Sequence, residues 1–154
     1  MAALVDYTAL TAATGWEDSF PICATTPVSG IKKDFWRKVR VDFSLTGLTD
    51  GDWAKIMVIP AHTYVFEVMT VIVTAEGGGA GVTVGDVNQD HTNTWVTTQV
   101  GTSANVALIT PGSTNGLTGG KYYHAAGALY TAGTSAFDTL VLDVYVHCLT
   151  MDPL

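Results

Sequence analysis

The segment Thr63–Thr74 constrains the fold of this chain more than any other part of the sequence. It is a run of β-branched and aromatic residues, which favour extended strands over helix. Pro60 precedes the run and a glycine-rich stretch at residues 77–81 follows it, so turns bound the strand at both ends. Apolar side chains fall on both faces of the strand. This pattern predicts a strand that lies centrally in a sheet or at a contact between subunits.

Further strands are predicted on both sides of this segment. Apolar and polar residues alternate over residues 38–45, which is typical of a strand with one buried face. Other predicted strands lie at residues 53–59, 82–84, 94–100, 105–109, 121–131 and 137–149. No segment has the periodicity of a long amphipathic helix. About eight short strands separated by turn residues predict an all-β fold, a single-domain, jelly-roll-like β-sandwich.

The first thirty residues differ from the rest of the chain. They are rich in Ala and Thr, and their large apolar residues Trp16, Phe20 and Ile22 follow no period. We therefore predict an extended N-terminal arm over residues 1–30 and a β-sandwich domain over residues 31–154. Isolated apolar anchors hold an arm poorly on their own, so Trp16, Phe20 and Ile22 are candidate partner-binding residues.

The charged residues are few and unevenly placed. They make up 14% of the chain, against roughly 25% in an average soluble domain. Such a surface is covered by small polar residues or is partly hidden against other subunits. The net charge of −7 argues against direct binding to nucleic acid, because phosphate backbones repel an acidic protein.

Most of the basic residues nevertheless cluster in one short segment, at Lys32, Lys33, Arg37, Lys38 and Arg40. One interpretation is an ordinary solvated strand. The other is a patch that docks on an acidic partner or on a neighbouring copy of this acidic chain, which makes these residues candidate partner contacts.

The sequence contains no recognisable membrane or secretion signal. Residues 1–10 lack a basic region followed by a long apolar run, and no stretch approaches the ~18 apolar residues of a membrane span. We expect a protein made in a reducing cytoplasm, with no membrane partner. Cys23 and Cys148 are then free thiols, although a disulfide between them remains an alternative.

No motif points to catalysis, a metal or a cofactor. The four histidines have no metal-ligand spacing, and the G-x-S-x-G motif of serine hydrolases is absent. Residues 86–90 begin like a calcium loop, but His91 stands at the position that requires glycine and Thr97 at the one that requires glutamate. We therefore expect a protein that is not an enzyme and needs no cofactor.

Aromatic residues leave a carbohydrate-binding role open as an alternative. β-Sandwich modules bind sugars by stacking them on flat rings, whereas aromatic residues also fill cores and subunit contacts. Trp95 shares a predicted strand face with Thr97 and Gln99, so we expect it to face solvent or an interface. It is the remaining candidate partner-binding residue.

The central part of the chain resembles a family of small structural proteins. The segments that carry the resemblance are Ile-Pro-Ala-His-Thr-Tyr-Val at 59–65, Val-Ile-Val-Thr-Ala-Glu-Gly at 71–77, Val-Thr-Val-Gly-Asp at 82–86, Tyr-Tyr at 122–123 and the closing strand at 140–146. Together they resemble small virion proteins of tailed bacteriophages over roughly residues 36–150. His62 departs from the pattern, in which glycine is usual.

The resemblance implies a structural role in the virion. Such proteins are head decoration (cement) proteins or related capsid- or tail-associated subunits. They are usually oligomeric, often trimeric, and the partner implied for this chain is the major capsid protein. The alternative function is a carbohydrate- or receptor-binding module associated with a tail or fibre.

Overall fold

The computed structural model describes residues 4–6, 20–21, 31–78, 80–86, 95–101, 106–109 and 120–151. All regular secondary structure in these ranges is β-strand, which confirms the prediction of an all-β fold. Within the same ranges there is no helix of the length and apolarity needed to cross a membrane.

The strands form two sheets. They are β1 (Leu4–Asp6), β2 (Phe20–Pro21), β3 (Ile31–Asp42), β4 (Trp53–Ile59), β5 (Thr63–Thr74), β6 (Gly81–Gly85), β7 (Val96–Val100), β8 (Val106–Ile109), β9 (Lys121–Tyr123), β10 (Gly127–Gly133) and β11 (Val141–Met151). Sheet A has the order β1-β4-β10-β6-β7. Sheet B has the order β2-β3-β11-β5-β8, and β9 also pairs with β5.

Strands from the beginning of the domain pair with strands from its end, and this pairing continues inward along the chain. β3 pairs with β11, β4 with β10, β5 with β8 and β9, and β6 with β7, all antiparallel. The chain is therefore a long antiparallel ribbon doubled back on itself. Because β3, β4, β5 and β6 alternate between the sheets, the ribbon rolls into a sandwich. This is the topology of a jelly roll.

The core lies between the two sheets and is mainly aliphatic, with Phe43, Trp95, Tyr123 and Phe137 as its aromatic members. In β3 the side chains of Val39 and Val41 point inward and are buried, whereas those of Lys38 and Arg40 point outward. The predicted alternation is thus confirmed for residues 38–43, whereas Leu45 lies beyond the end of β3 and is exposed. Burial of one such aliphatic side chain contributes about 1.5–3 kcal/mol to folding. Cys148 also lies in the core, where its side chain is buried. Cys23, its partner in the alternative of a disulfide, lies outside the described residues.

The predicted strand at 121–131 is two strands in two sheets, which corrects its boundaries. β9 belongs to sheet B and β10 to sheet A, so the chain crosses between the sheets at residues 124–126. Close packing at the crossing explains the glycine at position 127. A Cβ atom on Gly127 would lie 2.5 Å from the ring of Tyr123, nearer than any side chain can approach.

The last strand begins at Val141, later than predicted. The carboxylate of Glu76 accepts hydrogen bonds from the backbone N–H groups just before this strand, so these groups do not pair with a neighbouring strand. The Oε2 atom of Glu76 accepts hydrogen bonds from the backbone N–H groups of Asp138, Thr139 and Leu140, at 2.9, 3.0 and 3.0 Å. Its Oε1 atom accepts from the hydroxyl of Thr139 at 2.9 Å. Burial alone raises the pKa of Glu76, but these hydrogen bonds outweigh it and lower the pKa to about 2.

Two short strands are described within the predicted N-terminal arm. β1 adds to β4 as a parallel edge strand, and β2 adds to β3 by pairing Phe20 with Trp36. β3 and β4 contact each other at the same side of the two sheets, so β1 and β2, which pair beyond them, both lie along that side of the sandwich. The other predicted anchors, Trp16 and Ile22, lie outside the described residues.

Candidate functional site

The side of sheet B that points away from the core is largely apolar. We call it the outer face, and its described side chains include Trp36, Lys38, Arg40, Asp42, Tyr64, Phe66, Glu67, Met69, Val71, Val73, Tyr122, Val141, Asp143, Tyr145, His147 and Leu149. The solvated face of an antiparallel sheet is normally polar. A contiguous apolar surface instead marks a contact with a partner. β5 is central in this sheet and apolar on both faces, in agreement with its sequence pattern.

Four aromatic side chains form a row across the outer face. Ring centroids are 4.8 Å apart between Tyr64 and Phe66, 4.8 Å between Phe66 and His147, and 4.9 Å between His147 and Trp36. The rings of Trp36 and His147 are nearly parallel, with 11° between their planes. Their flat faces are therefore turned toward each other. A sugar platform needs ring faces turned to solvent, so this row is better suited to packing against a protein surface.

A charged cluster lies beside the aromatic row. The guanidinium of Arg40 donates two hydrogen bonds to the carboxylate of Asp143, at 2.7 and 2.8 Å, and Lys38 Nζ lies 2.7 Å from Oδ2 of the same group. Burial raises the pKa of Asp143, but the hydrogen bonds from Arg40 and Lys38 prevail and hold that pKa below its usual range. The carboxylate is covered, whereas Lys38 and Arg40 are 36% and 54% exposed. Asp42 on the same strand also interacts electrostatically with Arg40, so the cluster contains charges of both signs.

We expect Asp143→Asn to lower the free energy of unfolding by about 1–2 kcal/mol at neutral pH. The substitution removes the negative charge that separates two cations, but both cations remain accessible to water, which limits the loss. Chemical denaturation of the variant and wild type measures the difference. Asp50→Asn is the control, because Asp50 is exposed in a loop. Equal stability of Asp143→Asn and wild type would show that the ion pairs of Asp143 with Lys38 and Arg40 do not stabilise the fold.

The predicted basic patch is only partly realised on this face. Lys38 and Arg40 point outward, but Arg37 points inward with 7% of its surface exposed. The prediction that Arg37 belongs to a surface patch is therefore wrong, because consecutive strand residues point to opposite sides of a sheet. Lys32 and Lys33 lie in β3, and their side chains are outside the described part of the structure. Their contact with a partner stays a prediction.

The exposure predicted for Trp95 is wrong. Its backbone N–H donates to the carbonyl of Val84 at 3.1 Å, and its side chain is 3% exposed within the main hydrophobic cluster. The sequence placed Trp95 inside an alternating strand, but β7 begins only at the next residue. The residue therefore does not follow the alternation from which its exposure was inferred.

The beginning of the calcium-like segment is used by the fold itself. The hydroxyl of Tyr123 donates to Oδ2 of Asp86 at 2.6 Å, and Lys121 Nζ lies 2.7 Å from the same oxygen. Burial, followed by the charge of Asp86, raises the pKa of Tyr123, so its hydroxyl stays protonated as a donor. Residues 87–90 are outside the described ranges. In those ranges no group of three or more His, Cys, Asp or Glu side chains is placed to hold a metal.

His62, where the family pattern has glycine, adopts a left-handed backbone conformation with φ of 57°. This conformation is uncommon for residues other than glycine and explains the usual glycine. The Nδ1 atom of His62 lies 3.0 Å from the hydroxyl of Tyr122, and its ring is 5.7 Å from that of His124. Glycine has no side chain, so these two contacts are specific to the histidine at position 62.

The loop between β3 and β4 begins earlier than predicted, because residues 38–45 were predicted as a strand and β3 ends at Asp42. We define residues 42–52 as the acidic loop, because they contain three Asp residues and no Lys or Arg. Leu45 at its tip is 75% exposed, more than any other large apolar side chain of the described residues. Sequence reasoning missed this exposure, because Leu45 continues the apolar alternation of the predicted strand at 38–45.

Comparison with known proteins connects this architecture with phage capsids. No protein family and no curated protein sequence matches the chain. Among solved structures, a chain from the capsid of Ralstonia phage GP4 is similar with a TM-score of 0.62 and 12% identity, over 98% of this chain and 100% of that one. A chain from the acidic stable capsid structure of Helicobacter pylori bacteriophage KHP30 has a TM-score of 0.55 and 13% identity, over 80% of this chain and 91% of that one. At these identities the similarity shows a shared fold.

Proposed function

We propose that this chain is a virion structural protein of a tailed bacteriophage, and specifically a decoration protein that binds across capsid subunits. The observation that carries the proposal is the apolar outer face on a jelly roll whose fold recurs in two phage capsid structures. The partner is the major capsid protein, and the protein acts as an oligomer without catalytic chemistry.

The proposed mechanism is mechanical. A protein that binds across the boundary between two capsid subunits buries apolar surface on both, at about 25 cal/mol per Å² before the costs of association. Separation of the subunits would expose that surface again. The bound protein therefore opposes the outward pressure of packaged DNA. A low content of charged side chains suits this role, because desolvation of charge at an interface is costly.

A carbohydrate- or receptor-binding module is less well supported. Trp95, the aromatic residue on which that alternative relied, is buried. In the aromatic row, Trp36 and His147 turn their ring faces toward each other. Sugar binding is therefore an outcome of the test below and not part of the proposal.

The proposal is tested on DNA-free shells assembled from the capsid protein of the phage that encodes the chain. Purified protein is added in increasing amounts, and bound protein is measured by sedimentation of the shells. We expect saturable binding and a higher melting temperature of the decorated shells. Absence of binding would overturn the proposal, and so would binding without shell stabilisation. Binding to purified host glycans instead of shells would favour the alternative.

The predicted arm residues supply a specific variant for this assay. We expect the triple substitution of Trp16, Phe20 and Ile22 by alanine to weaken shell binding by about 100-fold, because large apolar anchors dominate interface energies. Backbone pairing of Phe20 with Trp36 does not require the side chain. The control is the substitution of Leu10 by alanine, an apolar truncation in the same segment outside the predicted anchors. Equal affinity of the triple variant and wild type would remove the arm from the mechanism.

A further inference from the structure

Two histidines that are far apart in the sequence face each other in the fold. β5 pairs with β9 through Thr63 and Tyr123, so His62 and His124 occupy the next opposed positions of the same antiparallel ladder. Their ring centroids are 5.7 Å apart. His124 is exposed and His62 is half-buried, so both imidazoles can be reached from solvent. The spacing of the histidines along the sequence gives no sign of this pair.

The separation of the two rings suits a shared metal ion. A bond between Zn²⁺ and a histidine nitrogen is about 2.0–2.1 Å long, so two imidazoles on one ion have their ring centroids about 4.5–6.5 Å apart, depending on the angle at the metal. The 5.7 Å between the rings of His62 and His124 falls within this interval. Imidazole nitrogen is a suitable ligand for zinc, nickel and copper ions. Two such ligands leave the other coordination positions of the ion to water.

Tyr122 is placed to orient one of the two rings. Its hydroxyl lies 3.0 Å from Nδ1 of His62, and its ring centroid lies 5.8 Å from that of His124. A histidine that binds a metal through one ring nitrogen usually donates the N–H of the other to a fixed acceptor, which sets the tautomer and the orientation of the ring. The hydroxyl oxygen of Tyr122 is such an acceptor for Nδ1–H. It leaves Nε2 of His62 as the nitrogen that binds the ion.

The basic residue nearest to His124 in the sequence is directed away from this arrangement. Lys121 Nζ lies 2.7 Å from Oδ2 of Asp86, whose side chain is fully buried. Consecutive strand residues point to opposite sides of a sheet, so Lys121 and Tyr123 share one side of β9 and Tyr122 points to the other. The positive charge of Lys121 is therefore balanced by Asp86 on the side of β9 away from Tyr122.

We propose that His62 and His124 form a binding site for a divalent zinc, nickel or copper ion, with Tyr122 as a positioning residue. His62 belongs to the turn between β4 and β5, and His124 to the crossing between β9 and β10. Each of these segments passes from one sheet to the other. A bound ion therefore ties the two connections together and stabilises the folded state. Metal binding is independent of the proposed function, since one copy of the chain supplies all three residues.

The first test is calorimetric titration of the protein, prepared without a histidine tag, with Zn²⁺ and with Ni²⁺. We expect one ion to bind per chain and to raise the melting temperature. His124→Asn should weaken binding by about 100-fold, because two ligands held in one place bind far more tightly than either alone. His62→Asn should do the same, and asparagine tolerates the left-handed backbone at φ of 57°. His147→Asn is the matched control, because the ring of His147 lies in the aromatic row beside Trp36 and should not bind the ion.

The second test locates the ion in the wild-type protein. Paramagnetic Cu²⁺ in substoichiometric amounts should broaden the imidazole NMR signals of His62 and His124 before those of His147. Tyr122→Phe keeps both ligands but removes the acceptor for Nδ1–H, so it should weaken Zn²⁺ binding by about tenfold or more. Its melting temperature without metal should stay that of wild type. No binding of Zn²⁺ or Ni²⁺ at about 1 mM would overturn the proposal. Equal affinities of wild type and His124→Asn would overturn it as well, and so would an equal loss in His147→Asn.

Discussion

Glu76→Gln is expected to lower the free energy of unfolding by about 2–3 kcal/mol at neutral pH. The carboxylate accepts hydrogen bonds from three consecutive backbone N–H groups and from the hydroxyl of Thr139. Glutamine has one acceptor oxygen and no charge, so it satisfies fewer of these donors and binds them more weakly. Urea denaturation at pH 7 measures the loss. Glu67→Gln is the control, because Glu67 lies in β5, the strand that precedes Glu76, but is partly exposed, with His147 3.4 Å away.

The same variant should change the response of the protein to acid. The pKa of Glu76 is lowered from 4.5 to about 2 on folding, so the unfolded chain takes up a proton more readily in this interval. The stabilisation by Glu76 is therefore complete above about pH 4.5 and is lost as the pH falls toward 2. The free energies of unfolding of wild type and Glu76→Gln should converge over this pH range. A constant difference in the free energy of unfolding from pH 7 to pH 2 would show that the charge of the Glu76 carboxylate does not hold residues 138–140.

The strand pattern of this chain could be predicted because its physical cause is local. Alternation in β3 and β11 reflects one buried face, and the apolar run of β5 reflects a central strand between β11 and β8. The predicted bounds of β4 and β5 are confirmed. Strand positions of this kind depend only on side chains a few residues apart.

Features that depend on distant residues could not be predicted in the same way. Nothing near positions 138–140 indicates that Glu76 binds their amides, so the start of the last strand was placed too early. The burial of Trp95 depends on where β7 begins, and the inward direction of Arg37 on which face of β3 meets the core. The outer face and the acidic loop arise from strands brought together by the jelly-roll topology.

Phe137→Ala should cause the largest loss of stability among these variants, about 3–5 kcal/mol. The side chain is 1% exposed, and its ring lies 5.1 Å from that of Phe43 at the start of the turn after β3. Its backbone exchanges two hydrogen bonds with Leu48, each 2.8 Å long. Calorimetry measures the change. Phe137→Leu, which keeps most of the buried volume, should lose no more than about 1.5 kcal/mol. Equal losses in the two variants would show that the cavity is not the cause.

Phe137 also connects the last strand with the acidic loop, because its partners Phe43 and Leu48 both belong to residues 42–52. Glu76 holds the residues that follow Phe137, so the two side chains fix one short segment from both ends. Their substitutions should therefore not be additive. Once Phe137→Ala has loosened the segment, Glu76→Gln should cost less than it does in wild type, with a coupling of about 0.5–3 kcal/mol. Hydrogen exchange at the amide of Leu48 should quicken in both single variants, since that amide donates to the carbonyl of Phe137. Additive losses with unchanged exchange at Leu48 would mean that the segment and the loop are held independently.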